Sequence, residues 1–159
     1  MQLFHKKLVV TDANVFLDGD IITKEAILQF IVHQAKELGV ISQQDEVYNA
    51  FVERERESST GVGLGVAIPH ARCKAIKHPS IFLYRANQVI ADWHSIDETP
   101  IKVAIALFIP ERASKDHLKL LSKLAVRLLD EEFVTMLHYT DDKETIAEAI
   151  NQAISEDPL

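Results

Sequence analysis

Apolar residues recur every three to four positions in several stretches of the chain, and most of these stretches follow a residue that can cap a helix. This spacing places the apolar side chains on one face of a helix. The pattern predicts helices from Lys24 to about Leu38, from Ser42 to the charged run at 53–57, from Lys115 to Leu129, at 131–137 and from Asp141 onward.

The ends of the predicted helices carry local signals. These are Thr23 as a cap and Gly39 as a stop for the first helix, capping boxes at Ser42 with Asp45 and at Asp141 with Glu144, and Ser114 as a cap for the third helix. In the third helix we expect an apolar stripe that faces the core, made of Leu118, Leu121, Ala125 and Leu128.

Shorter apolar runs predict strands at 64–68, 80–85 and 101–109. The last run is almost wholly apolar, which indicates a strand buried on both faces, and Pro110 ends it. The stretch from Leu3 to Val10 fits either a strand or a lead-in. Helices precede and follow the strands, so we expect an α/β fold with a mixed β-sheet flanked by helices on both faces, a three-layer α/β/α arrangement in a single domain.

Composition supports one globular unit spanning 1–159, with its core at about 5–150. The chain has 159 residues, of which 47% are hydrophobic and 26% charged. The net charge of −7 argues against nucleic acid as a partner. Neither a signal peptide nor an apolar run of about 20 residues is apparent, so we expect a cytoplasmic protein that does not insert into the membrane.

The single cysteine, Cys73, excludes an intramolecular disulfide and fits a reducing compartment. It follows His70 by three residues, which raises the question of a catalytic thiol. A small, partly buried side chain is the favoured interpretation, because no neighbouring motif would activate the thiol.

A glycine-rich segment at 61–70 ends in Pro69 and His70. It lacks the Gly-Lys-Ser/Thr of a Walker loop, and Val66 stands where a dinucleotide fingerprint needs glycine. The glycines instead favour tight turns and close approach of a phosphate to main-chain N–H groups. Pro69 restricts Ile68 to an extended conformation, so His70 leaves a strand end in a defined direction, either as a nucleophile or as a hydrogen-bonded structural residue.

Two further residues favour chemistry at His70. Arg54 precedes it by sixteen residues, and its guanidinium suits a phosphoryl group, although Arg54 also belongs to an alternating charge run in which Arg56 is a solvated member. His117 falls in the first turn of the third helix, where the dipole favours contact with an anion; alone, it would be interpreted as a surface histidine. The other histidines show no zinc-ligand spacing, so no metal site is predicted.

Together these residues resemble a known family. Arg54-Glu55, Ser59-Thr60-Gly61 and the run at 65–70 are similar to the active segment of the phosphotransferase-system (PTS) enzyme IIA proteins of the fructose/mannitol/nitrogen type. The run at 116–125, which contains His117, is similar to the second signature of that family, and the likeness extends over about residues 5–150.

The resemblance implies a phosphotransferase without a cofactor. His70 would accept a phosphoryl group from phospho-HPr and pass it to a cysteine of the IIB component, which serves a IIC sugar permease. His117 would assist the phosphoryl oxygens, and Arg54 would orient the histidine or bind the phosphate. A regulatory protein of the nitrogen-type branch is the alternative, and a metal-dependent hydrolase that uses His70 and His117 is a third, weaker hypothesis.

Overall fold

The computed structural model of the protein describes residues 8–155. The strands are β1 (Val15–Gly19), β2 (Gly61–Gly63), β3 (Val66–Ala67), β4 (His70–Cys73), β5 (Ser80–Ala86) and β6 (Val103–Pro110). The helices are α1 (Lys24–Glu37), α2 (Gln44–Glu57), α3 (Lys115–Leu118), α4 (Leu120–Arg127), α5 (Glu131–Tyr139) and α6 (Lys143–Ser155).

One mixed sheet organises the molecule, in the order β1-β5-β6-β3-β2, with β4 also paired to β6. The β1–β5, β3–β6 and β4–β6 pairs are parallel, whereas β5–β6 and β2–β3 are antiparallel. The prediction of a mixed rather than an all-parallel sheet is therefore confirmed.

Helices cover both faces of the sheet. In β5, Phe82 and Tyr84 pack with α1 and α2, while the alternate residues Ile81 and Leu83 pack with α4, α5 and α6. The same alternation continues along β6, in which every residue except Pro110 is buried. This arrangement confirms the predicted α/β/α layers and the doubly buried strand at 101–109.

β3 and β4 form one interrupted strand beside β6. Val66 pairs with Val103 and His70 with Leu107 in unchanged register, and the Pro69 carbonyl still accepts from the Leu107 N–H at 2.9 Å. Proline has no N–H to donate, so the ladder is interrupted there. The prediction that the strand stops at Pro69 was therefore incomplete, because His70 begins β4.

The first two helices agree with the sequence pattern except at one cap. The Thr23 side chain accepts the Ala26 N–H at 3.4 Å and caps α1, and Gly39 follows that helix with φ of +75°. The capping box predicted at Ser42 and Asp45 was wrong. The N-cap of α2 is Gln43, one residue later, and it makes no side-chain cap bond. The Ser42 hydroxyl instead donates to the Ala75 carbonyl.

The predicted third helix is divided into α3 and α4 at Lys119. The Lys119 N–H bonds the Asp116 carbonyl at 3.2 Å, a bond of 3-10 type that tightens the turn and redirects the chain. α4 buries Leu120 and Leu124, and its C-cap Leu128 is buried as well. Of the predicted stripe, Leu128 is therefore confirmed, whereas the prediction was wrong for Leu118, Leu121 and Ala125, which are exposed.

Three smaller differences from the predictions concern the cap of α6, residues 8–10 and β1. The cap of α6 comes from Asp142, whose carboxylate accepts the Glu144 N–H at 3.1 Å, while Asp141 pairs with Arg85. The strand predicted as an alternative for 3–10 is not formed at 8–10; residues 1–7 lie outside the described residues. β1 was not predicted, because its short sequence VFLDG has no regular alternation.

Candidate functional site

His70 is the first residue of β4, and both of its ring nitrogens have partners. Nδ1 lies 3.0 Å from the Ile68 carbonyl oxygen, and Nε2 lies 3.1 Å from the Arg54 Nε. A carbonyl only accepts and a guanidinium only donates, so Nδ1 carries the proton and Nε2 presents its lone pair. The protein environment thus selects one neutral tautomer of the half-buried imidazole.

Arg54 lies in the last turn of α2, where its positive charge suits the negative end of the helix. Its Nε donates to His70 Nε2, and its Nη1 donates to the Ser58 carbonyl at 2.8 Å, directly after the helix. A guanidinium has five N–H donors, so Arg54 retains further donors besides the two in these bonds. The proximity of Arg54 to His70 that the sequence suggested is therefore observed.

The two helical layers meet at the His70 side chain. Alternation along the interrupted strand places His70 on the same face as Val66 and Ile68, which pack in the core shared with α4–α6. Arg54 comes from α2 in the opposite layer and reaches around β4, which pairs with β6 alone among the described strands. The histidine thus lies at an open sheet edge accessible from both layers.

His117 is half-buried in α3, and its backbone N–H donates to the Ser114 hydroxyl at 3.2 Å. The residues on either side of this segment, Ala113 and Leu120, pack in the core on the face toward which His70 points. The predicted cap at Ser114 is confirmed, but the dipole argument was wrong. α3 has 4 residues, too few to build the macrodipole that a long helix would have offered an anion.

The loop before α3 is tied to β4. Arg72 donates from Nε and Nη2 to the Glu111 carbonyl at 3.1 and 2.8 Å. Glu111 directly follows β6, so this double bond holds the start of the 111–114 loop against the strand that carries His70. Sequence analysis gave Arg72 no role; only the parallel pairing of β4 and β6 brings the two residues together.

The glycine segment forms a hairpin, not the predicted continuous strand at 64–68. Leu64 and Gly65, with φ of 58° and 77°, turn the chain between β2 and β3. Three side chains hold the turn: Asp97 accepts the Leu64 N–H at 3.1 Å, Thr99 accepts the Gly65 N–H at 3.1 Å, and His138 Nε2 donates to the Leu64 carbonyl at 2.8 Å.

Asp97 accepts several of the hydrogen bonds around this turn. Its carboxylate also accepts from Ser95, at 2.8 Å, and from both the N–H and the hydroxyl of Thr99. These bonds, first of all the one from the Thr99 hydroxyl, hold the pKa of Asp97 well below its usual range although the side chain is exposed. The hairpin is therefore braced from outside by a charged group that remains ionised at neutral pH.

Cys73, the last residue of β4, is half-buried. Burial raises the pKa of its thiol, so little thiolate is present near neutral pH. This supports the interpretation of Cys73 as a packing residue over that of a catalytic thiol.

An apolar surface adjoins His117. We call it the α3–α4 surface; its members are Leu118, Leu121, Val126 and Leu129, which are 47, 36, 48 and 82% exposed. Leu118 lies in α3, Leu121 and Val126 lie in α4, and Leu129 follows two residues after α4. Several exposed apolar side chains within one short stretch of chain suit a protein docking site. The redirection of the chain at Lys119 leaves them exposed.

A groove on the surface of the protein lies apart from Arg54, His70 and His117. This groove, of about 440 Å³, is lined by residues from Val89 to Pro100, and none of those three residues lines it. Within residues 8–155, no group of three or more potential metal ligands is found. Across the same residues, no helix combines the length and apolar character needed to cross a membrane.

Two polar residues of the first motif are buried, which sequence reasoning did not predict. Glu55 and Thr60 are 8 and 4% exposed, and the Thr60 hydroxyl donates to the Glu55 carboxylate. Glu55 was hidden within the alternating charge run at 53–57. Its i, i+4 relation to Phe51, which is buried on the same helix, is the signal that could have indicated an inward-facing carboxylate.

Comparison with known proteins identifies the family. Residues 8–153 match the family described as the phosphoenolpyruvate-dependent sugar phosphotransferase system, EIIA 2. The chain therefore belongs to this family, and the resemblance inferred from the two motifs is confirmed. Members of the family are phosphotransferases, so the chain is a phosphocarrier of the phosphotransferase system.

Individual relatives fall in two branches. The chain is 31% identical over 132 residues to the fructose-specific EIIA component of Haloferax volcanii, covering 83% of this chain and 85% of that one. It is 34% identical over 121 residues to the nitrogen regulatory protein of Klebsiella oxytoca, covering 75 and 72%.

A solved structure shares the fold. The complex of enzyme IIAMtl and phosphorylated enzyme IIBMtl from Escherichia coli contains a chain that aligns with a TM-score of 0.76 at 18% identity, covering 92% of this chain and 99% of that one. This likeness establishes the fold, and the motif residues carry the argument about chemistry.

Proposed function

We propose that the protein accepts a phosphoryl group from phospho-HPr on His70 Nε2 and passes it to a PTS IIB component for sugar uptake and phosphorylation. The observation that carries the proposal is the pair of bonds to the His70 ring. With its proton held on Nδ1 by the Ile68 carbonyl, the imidazole presents Nε2 as the nucleophile.

The transfer needs no proton movement at His70. The Nε2 lone pair forms a new N–P bond while the N–P bond of the donor phosphohistidine breaks, and the donor imidazole keeps the electron pair. Nδ1 retains its proton, so the positive charge that develops on the ring is shared with the Ile68 carbonyl. The reverse displacement, by a IIB thiolate, would restore the neutral ring.

Arg54 has to change partner during this step. In the unphosphorylated protein its Nε occupies the lone pair of His70 Nε2, at 3.1 Å. The N–P bond replaces that hydrogen bond, and the guanidinium then lies beside three phosphoryl oxygens that accept its N–H groups. Arg54 thereby holds the resting imidazole in place and stabilises the transferred group.

His117 is proposed to assist the phosphoryl oxygens from the other layer. This role is supported by the family motif and by the residues that flank α3, Ala113 and Leu120, which pack in the core on the face toward which His70 points. Because α3 is short, the assistance would come from the imidazole itself, not from a helix dipole.

The α3–α4 surface is the proposed docking site for both protein partners. A half-buried histidine at a sheet edge suits a donor and an acceptor that are themselves proteins, since neither has to enter a deep pocket. Exposed leucines beside His117 provide apolar contact for each partner in turn.

A regulatory function of the nitrogen type is the second candidate. It is favoured by the 34% identity to a nitrogen regulatory protein, a value close to that of the fructose-specific relative. In that case the same phosphohistidine would control binding to target proteins instead of supplying a IIB component.

The test is reconstitution with phosphoenolpyruvate, enzyme I and HPr. Intact mass should increase by one acid-labile phosphoryl group, His70→Ala should abolish the increase, and the exposed His33→Ala should retain it. An unchanged wild-type mass would refute the carrier function. Transfer from the phosphorylated protein to purified IIB supports sugar uptake; phosphorylation-dependent binding of a target, without transfer, supports regulation.

A further inference from the structure

Glu55 is a buried carboxyl group that the proposed transfer does not use. It is 8% exposed, follows Arg54 directly, and lies near the end of α2. A buried carboxyl group is costly to desolvate unless its oxygens accept hydrogen bonds. Its partners therefore indicate what it does.

Both carboxyl oxygens of Glu55 contact one residue. Oε1 accepts the Thr60 hydroxyl, and Oε2 accepts the Thr60 N–H at 3.4 Å. Thr60 is itself 4% exposed, so these bonds are shielded from water. The pair ties the end of α2 to the residue that precedes the glycine hairpin.

From Thr60 the contacts lead to the proton of His70. The Thr60 carbonyl accepts the Ile68 N–H at 2.9 Å, and the Ile68 carbonyl accepts the His70 Nδ1–H at 3.0 Å. Ile68 precedes a proline, which confines its backbone to extended conformations, so a shift of its N–H would move its carbonyl as well. The position of Thr60 is thus transmitted to Nδ1.

A second route leads from the same segment to Nε2. Ser58 lies two residues before Thr60, and its carbonyl accepts Arg54 Nη1 at 2.8 Å. The Nε of that guanidinium donates to His70 Nε2. Residues 58–60 therefore support both nitrogens of the imidazole, and Glu55 secures this segment from inside the protein.

We propose that Glu55, acting through Thr60, is a positioning residue that sets the tautomer and orientation of the His70 ring. The proposal rests on the proposed function only where it concerns transfer; the tautomer is a property of the unphosphorylated protein. Glu55 touches neither the imidazole nor the phosphoryl site in these contacts. Its effect would reach them through residues 58–60 and Ile68.

Substitution of Glu55 or Thr60 should therefore change the tautomer of His70 in a protein that still folds. Glu55→Gln keeps the shape but places an NH2 group where an oxygen accepted, so one Thr60 donor loses its acceptor. Residues 58–60 then shift, and the Ile68 carbonyl no longer selects Nδ1–H alone. Thr60→Val removes the hydroxyl at constant shape, and Thr60→Ser retains it.

The experiment measures the imidazole directly, by 15N chemical shifts of His70 in the full-length, unphosphorylated protein. Wild type, Thr60→Ser and the exposed control Glu57→Gln should show one Nδ1–H tautomer. Glu55→Gln and Thr60→Val should show averaged shifts of the two tautomers, with the thermal transition recorded to verify folding. A single Nδ1–H tautomer in folded Glu55→Gln would overturn the proposal.

Transfer kinetics provide the second readout. In Glu55→Gln, kcat for acceptance from phospho-HPr should fall about 10- to 100-fold, as for partners that orient a ligand histidine, with KM nearly unchanged. A rise in KM with unchanged kcat would contradict positioning. If wild type accepts no phosphoryl group, the proposed function fails, and the tautomer shifts of Glu55→Gln still decide the role of Glu55.

Discussion

The two regions on either side of His70 differ in the kind of side chain that they present. On the α2–β4 side, polar atoms are paired: Arg54 with His70 and Ser58, and Glu55 with Thr60. On the other side, the α3–α4 surface exposes apolar side chains on short helices divided at Lys119.

The difference agrees with what the proposed transfer would require of each side. A nucleophile works only when its lone pair points in one direction, which requires bonds of defined geometry. A surface proposed to receive two different partners would gain more from apolar contact, which is non-directional. Substitutions of Arg54 and of the exposed leucines test whether the two sides can be changed separately, and those of Gly65 and Cys73 test the framework around them.

Arg54→Ala should have the largest effect. Loss of one preorganised donor at a reacting centre typically lowers the rate about 100- to 1,000-fold, and we expect a decrease of this size in kcat/KM for phosphoryl acceptance. Arg54→Lys should retain only part of the wild-type kcat/KM, because lysine lacks the planar guanidinium. Rapid-quench measurement checks this, with Arg56→Ala, on the exposed ion pair with Glu53, as the control. Equal losses in both variants would show that general charge, not the Arg54 contact, matters.

Gly65→Ala should destabilise the hairpin. A non-glycine residue at φ of +77° is strained, and the added Cβ would lie 2.8 Å from His138 Cε1 and 3.1 Å from the Pro100 carbonyl. We expect a loss of about 1–3 kcal/mol in the free energy of unfolding, measured in urea. Gly39→Ala has a similar φ but open space, so it isolates the backbone term. A loss of stability no greater than that of Gly39→Ala would mean that the hairpin shifts and relieves the clash of the added Cβ with His138 and Pro100.

Leu118→Ser and Leu121→Ser should weaken docking while preserving the chemistry. Truncation of an exposed apolar contact at an interface typically costs about 1 kcal/mol, which corresponds to a KM for phospho-HPr about fivefold higher. Thermal stability should hardly change, since both side chains are already exposed. Leu38→Ser, 50% exposed after α1 in the opposite layer, is the matched control. A fall in kcat instead of a rise in KM would assign these leucines to the chemistry.

Cys73 should give the smallest effect. Because burial raises the pKa of its thiol, alkylation of the native protein should be slower than that of the unfolded protein and should accelerate only above the ordinary cysteine pKa of about 8.5. The native state then holds its proton more tightly than the unfolded state, so stability declines as pH rises through that value. Mass spectrometry after timed iodoacetamide treatment measures the rate, and Cys73→Ser should transfer phosphoryl groups normally. Rapid labelling at pH 7 would contradict the assignment of a packing thiol.

The layers of the fold were predictable because their signals are local. The apolar run at 101–109 indicated a strand buried on both faces, and Thr23 and Gly39 marked the ends of α1 correctly. β2 and β4 escaped prediction because each owes its strand conformation to a neighbour distant in sequence: β2 to β3 across a tight turn, and β4 to β6. Strands of such length carry no periodicity of their own.

The sequence could not predict which face of the helical segment after Ser114 is buried. A continuous helix would have buried Leu118, Leu121 and Ala125, and the apolar spacing allowed that stripe as readily as the one formed. The 3-10 bond at Lys119 selects the other face and leaves the leucines beside His117 exposed. A pattern rich in leucine does not specify which side is buried, because either choice satisfies helical spacing.

The motifs around Arg54, His70 and His117 are continuous stretches of the chain, so the family could be recognised, and these residues proposed as its site, without coordinates. How these residues are arranged depends on the tertiary structure. The hydrogen bonds of His70 Nδ1 with Ile68, of His70 Nε2 with Arg54 and of Glu55 with Thr60 form because α2, β4 and the hairpin meet at one sheet edge. Hydrogen-bond direction is a property of atoms placed in space, and residues distant in the chain acquire it only when the sheet brings them together.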